Sequence, residues 1–142
     1  MRALVADSLE RPAERVAVME AAESALRRPS ADGWALGAVE SGQLVGCVVH
    51  GFFAGADRVG RILAMAVAPA VRRQGIGRAL LDAAMTQLAS EGARFILAEI
   101  PTGAAEHVPY TRFLANAGFT QEGRIDGYFR AEAALAIMRR DL

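Results

Sequence analysis

A chain of 142 residues that is 53% hydrophobic and 23% charged is long enough for one domain with a real core, and too apolar for disorder. Its formal charge sums to zero, which excludes the global field that draws a protein onto nucleic acid or an acidic membrane. All sixteen cationic side chains are arginine, and the single Cys47 excludes an intrachain disulfide.

In chain order, "RALVA" (2–6) predicts a short strand and residues 7–28 a helix. Asp7 or Ser8 stands near its cap, Pro12 fits only its first turn, and Pro29 stops it. "GWALGAVESGQLVGCVVHGFF" (33–53) reads as a hairpin whose turn is "ESGQ", with Gly42 supplying the left-handed residue. Cys47 within it reads as a small buried hydrophobe in a reducing compartment. "RVGRILAMAVAP" is a third strand ending at Pro69. A helix follows from about Gly75 to Ser90, with Ile76, Leu80, Ala83 or Ala84, and Leu88 on one face and Gly92 as its cap.

"RFILAEI" (94–100), short and continuously apolar, predicts a buried strand. "PTGAAEH" is loop, a short helix spans about 109–116 and closes at Gly118, and "FTQEG" and "LAIMRRD" supply the last two strands. The order β-α-β-β-β-α-β-α-β-β puts a parallel pair with a helical crossover at 61–100 inside a mixed sheet. No repeat or linker divides the chain, so one domain over 1–142 is expected. The N-terminus lacks the long apolar core of a signal peptide, and no apolar run approaches the ~20 residues of a membrane span. A cytoplasmic protein is expected.

Chemistry concentrates in "VRRQGIGRALL" (71–81), where a strand runs through a turn into a helix start. The first amides of a helix have no intrahelical acceptor, and the helix dipole places about half a positive charge there. Glycines let an oxyanion approach that backbone, and Arg72 and Arg73 can add charge-assisted contacts. A P-loop is excluded because the chain has no lysine. A dinucleotide fingerprint is disfavoured because its third glycine would fall on Leu80.

What fits is R-x-x-G-x-G, as Arg72-Arg73-Gln74-Gly75-Ile76-Gly77, after "LAMAVAP" and before "RALLDAAM". Together with the hairpin, "FILAEI", "FLANAGF" and "ALAIMRRDL", this stretch resembles the GNAT superfamily of acetyl-CoA-dependent N-acetyltransferases. The resemblance implies an α/β (α+β) single-domain fold: a mixed, mostly antiparallel sheet of six or seven strands, flanked by about three helices and splayed at the cofactor strand. It implies a coenzyme A pyrophosphate cradle at Arg72, Arg73, Gln74, Gly75, Ile76, Gly77 and Arg78. It also implies backbone pairing of Met65, Ala66 and Val67 with the pantetheine arm. Ala64, Ala66 and Ala68 either leave room for that arm or reflect an alanine-rich chain.

The implied donor is acetyl-CoA, without a metal, since two distant histidines and one cysteine make no ligand cluster. The implied acceptor is a small-molecule or peptide amine, on a monomer or homodimer, with no nucleic acid and no membrane partner. Many family members carry a tyrosine four residues before the Gly-Phe of "FLANAGF"; here that position is Leu114. Tyr110, one turn earlier on the same face, and Tyr128, resembling an acceptor-side aromatic of some relatives, are the alternative proton donors. Glu99 is the candidate base, because a carboxylate in an apolar strand is costly unless paired, exposed or functional. His107 reads as a base, a cap or a solvated loop residue. His50 reads as an acceptor-side group or a satisfied strand histidine. Leu114 also keeps open a different class of function, a catalytically weak acyl-CoA-binding module that regulates a partner protein.

Overall fold

The computed structural model describes residues 33–142. The strand expected over 2–6 and the helix expected over 7–28 lie outside the described residues, and with them one of the three expected helices. Within the described residues the expected element order holds.

Strands β1 (Gly33–Glu40) and β2 (Gln43–Phe52) form the hairpin. Ser41 and Gly42 between them both take positive φ, 48° and 78°, the left-handed pair whose twist suits a two-residue hairpin. Strand β3 (Val59–Val67) leads into helix α1 (Ile76–Ser90), and β4 (Phe95–Thr102) into helix α2 (Val108–Asn116). Strands β5 (Thr120–Arg130) and β6 (Ala133–Asp141) close the chain. The sheet order is β1-β2-β3-β4-β6-β5, with β3 and β4 parallel and every other pair antiparallel.

Both helices end as the sequence dictates. The amide of Ala93 reaches back to the Leu88 carbonyl and that of Gly92 to Ala89; Phe119 and Gly118 do the same with Leu114 and Ala115. These are Schellman closures, and each turns on a glycine at positive φ, 86° at Gly92 and 84° at Gly118. Strand β5 runs on to Arg130, well past the Gly123 at which the sequence suggested it would stop. It is an edge strand exposed along nearly its whole length, so no apolar alternation marks it in the sequence.

Alternation along β2 assigns the two faces of the sheet. Val48 packs with Leu80 and Ala84 of α1, whereas its neighbour Val49 joins Ala64 in a separate cluster. The main core lies between the sheet and the two helices, where Leu81, Met85 and Leu88 meet Ile96, Ala98, Met138 and Leu114. Gly46 lets α1 seat closely: a Cβ there would lie 2.9 Å from Leu80 Cδ1. The buried stripe of α1 therefore fixes where its N-terminal end falls, directly after the end of β3.

Candidate active site

Two features of β3 shape the site. Val49 pairs with Ala64 but His50 pairs with Ile62, so Leu63 is an extra residue that bulges the strand. On its other side β3 pairs with β4 only from Val59↔Phe95 to Ile62↔Ala98, although β3 continues to Val67 and β4 to Thr102. The two strands part beyond that point. Met65, Ala66 and Val67 pair with Val48, Cys47 and Gly46 of β2, and their other edge faces the opening. Ala64 is packed against Val49 beside Ala35 and Leu63, so its small size serves core packing.

The opening leads to the start of α1. A short 3-10 turn (Pro69–Val71) carries the chain to Arg73 at φ 63°, Gln74, and Gly75 at φ 85°, which is the N-cap. No side chain caps the helix, and its first internal bond runs from the Ala79 amide to the Gly75 carbonyl. The amides of Ile76, Gly77 and Arg78 are therefore left for an external acceptor. A Cβ on Gly75 would meet nothing within 4 Å, while one on Gly77 would lie 3.5 Å from Val67 Cγ2 and 3.6 Å from the Phe113 ring. Gly77 thus sits in close contact with the end of β3 and with α2, and Phe113 is a neighbour of the helix start that the motif alone did not reveal.

The three arginines of this segment differ. Arg72 donates from Nε to the Val67 carbonyl at 3.0 Å, tying the turn to the end of β3. Arg78 grips Asp82 through Nε at 2.9 and 3.0 Å and reaches the Asn116 carbonyl at the end of α2. Arg73 has no partner among the described residues and is exposed. Backbone amides and Arg73 are what this turn offers an anion. Because Gly75 needs its left-handed φ, Gly75→Ala should cost about 1–2 kcal/mol in urea denaturation despite the open space around it.

Glu99 is the first residue of β4 beyond the last pair with β3. It is half-exposed and bonded to Arg61 at 2.8 Å, and the Arg61 guanidinium also lies 4.7 Å over the Phe53 ring. That partner, 38 positions away, left no local trace in the sequence. Leu114 is buried in the core cluster, and Tyr110 is partly exposed one turn earlier on α2. Tyr128 lies in the stretch of β5 where the ladder to β6 is interrupted between Ile125 and Arg130, with its ring 4.9 Å edge-on from Phe129. Arg130 fastens this end of β5 to Glu106, just before α2, at 2.9 Å. The three catalytic candidates thus stand on three elements, β4, α2 and β5.

His50 is fully buried, hydrogen-bonded from Nε2 to Gln87 Oε1 at 3.0 Å and stacked 5.7 Å from Trp34. It is a buried strand histidine satisfied at Nε2 alone, since Nδ1 is buried without a hydrogen-bond partner among the described residues. Burial pushes its pKa below 6.5 against a smaller opposing effect of Gln87. Its stabilising contribution is therefore full above that pH and is lost as pH falls through 6.5 toward the folded value. Unfolding free energy should drop by up to about 1.4 kcal/mol per pH unit as pH falls below 6.5, and the double variant His50→Leu, Gln87→Leu should flatten that slope in urea titrations.

His107 is buried rather than solvated, and its side chain does not cap α2. Cys47 is buried with its thiol pKa raised by desolvation, an inert residue. Among the described residues no group of three or more metal-ligating side chains exists, and no helix is long and apolar enough to cross a membrane.

Solved structures share this architecture. One described as a GNAT-family acetyltransferase from Desulfovibrio desulfuricans is 26% identical with TM-score 0.89, over 99% of this chain and 89% of that one. Ribosomal-protein-alanine N-acetyltransferase from Brucella melitensis is 25% identical with TM-score 0.66, over 85% and 74% of the two chains. An aminoglycoside 6′-N-acetyltransferase solved with coenzyme A is 16% identical with TM-score 0.73, over 99% and 89%, and shows the fold alone. No curated protein matches the chain in sequence. Residues 2–119 match the model of the Acetyltransferase (GNAT) family. The chain belongs to that family.

Proposed function

We propose that this acyltransferase moves an acetyl group from acetyl-CoA directly to a primary amine of a small molecule or peptide. The parting of β3 and β4 beside an uncapped glycine helix start carries the reading. The free amides of Ile76, Gly77 and Arg78 suit a pyrophosphate, with Arg73 adding charge. The unpaired edge of Met65, Ala66 and Val67 suits an amide-bearing arm lying as a strand would. Acetyl-CoA, when bound, supplies an acyl group already activated as a thioester. A known structure that resembles this chain at 25% identity is named for a ribosomal-protein alanine, which supports an amine acceptor.

The chain's own residues handle the protons. Glu99, at the fork of the strands, takes the ammonium proton of the acceptor so that a neutral amine can attack. Tyr110 and Tyr128 are the donors available in place of Leu114. We read the protein as a single cytoplasmic domain, monomeric or homodimeric, that needs no metal. A thiol-release assay with acetyl-CoA over a panel of amines tests the reading, and turnover with at least one is expected. Tight acetyl-CoA binding with silence across the panel would instead favour a regulatory acyl-CoA-binding module, which the apolar Leu114 keeps in view.

A further inference from the structure

Behind α2, on the side away from Gly77, lies a second cavity of about 420 Å³. Its walls are the loop after β4, with Thr102 and Gly103, and one helical face of α2 formed by Val108, Thr111, Arg112 and Ala115. These four recur at i, i+3, i+4 and i+7, a single stripe, whereas the Phe113 ring lies against Gly77. The cavity and the candidate cradle at Gly77 therefore occupy opposite sides of one helix. Gly103 takes φ 99°, and a Cβ there would lie 3.1 Å from the Glu132 carbonyl and 3.6 Å from Arg124 Nη2, so the β5–β6 hairpin borders the same loop.

The charges are uneven. Arg124 is neutralised by Asp126 at 2.6 Å. Arg112 has no acidic partner among the described residues, and no carboxylate lines the cavity. Around that one uncompensated guanidinium stand two threonine hydroxyls and otherwise small apolar groups. A cavity with a single free positive charge, bidentate geometry and an alanine-rich body matches a monoanionic carboxylate on a compact apolar frame better than a dianionic phosphate.

We propose that this cavity is a binding site for a small amphipathic carboxylate, separate from the acyl-donor site. The carboxylate sits on the Arg112 fork with Thr111 beside it, and the apolar frame lies over Val108, Ala115 and the Thr102–Gly103 backbone. The site does not depend on the transferase reading, since of its residues only Thr102 belongs to the parted end of β4 and the charge that defines it is on α2.

Titration of the full chain with butyrate and benzoate, followed by amide chemical shifts, tests this. Saturable shifts are expected at Gly103, Thr111, Arg112 and Ala115, unchanged by saturating coenzyme A. Butyramide and benzamide, of the same shape without charge, should bind at least tenfold more weakly. Arg112→Gln should weaken benzoate at least tenfold while leaving coenzyme A affinity and the melting temperature intact, and Arg112→Lys should recover only part of it. Inorganic phosphate should compete poorly. Equal binding of acid and amide, indifference to Arg112→Gln, or shifts confined to residues 65–67 and 75–78 would each overturn the proposal.

Discussion

Gly77→Leu is expected to abolish coenzyme A binding, raising the dissociation constant at least a hundredfold in calorimetric titration, while the melting curve stays close to that of the parent chain. The expectation rests on what surrounds the residue. A Cβ at Gly77 makes only ordinary contacts with Val67 and Phe113, so the fold itself does not demand glycine there. Its φ is not among the positive ones, and leucine is a better helix former than glycine by roughly 0.8 kcal/mol. With Val67 and Phe113 already in contact with the Cβ, the longer branch of leucine is expected to crowd the approach to the amides at the helix start. Gly77→Ala, which adds the Cβ without the branch, should preserve both fold and affinity. Wild-type affinity in Gly77→Leu would move the cradle elsewhere. The contrast with Gly75 sharpens the test: there the backbone conformation, not the space, requires glycine.

Most of this fold was legible because its elements announce themselves locally. The glycines at 42, 92 and 118 mark a hairpin turn and two helix closures by a conformation that only the backbone at those points requires. The stripe Ile76, Leu80, Ala84, Leu88 marks α1 by its period, and those residues do face the sheet. The glycine-rich helix start was legible for the same reason, since it is a continuous stretch.

What was hidden is what depends on sequence-distant partners. Nothing in "RVGRILAMAV" shows that Leu63 bulges, because a bulge is a relation between β3 and β2. The engagement of Arg78 with the carbonyl end of α2 and of Arg72 with Val67 likewise leaves no local sign, so a motif of three arginines reads as three anion ligands when two guanidiniums have protein partners. Least legible was the spatial relation of the candidates Glu99, Tyr110 and Tyr128, which sit on three elements that only tertiary structure relates.

Glu99→Gln is expected to lower kcat at least a hundredfold with the acceptor that the amine panel yields, while leaving coenzyme A affinity unchanged. The magnitude is that of losing a positioned general base. The competing account is that Glu99 exists to pair with Arg61, and the structure gives that account its own consequences. With both side chains about one-third exposed, at 35% and 34%, the pair lies in screened surroundings. It contributes about 0–1 kcal/mol. If pairing is the whole role, Glu99→Gln and Arg61→Gln should both destabilise the protein slightly, Arg61→Gln the more because it also loses its contact with Phe53, and both should leave kcat alone. If Glu99 is the base, Arg61→Gln should keep kcat within a few-fold, because the carboxylate remains at the fork just past Ala98. Glutamine keeps the shape and removes the proton acceptor together with the charge paired to Arg61, so a loss of kcat with intact melting and intact cofactor binding, absent in Arg61→Gln, cannot come from disturbed packing or from the lost ion pair. Equal kcat in Glu99→Gln and the parent chain would return the residue to its ion pair and leave the proton to solvent or to the acceptor itself.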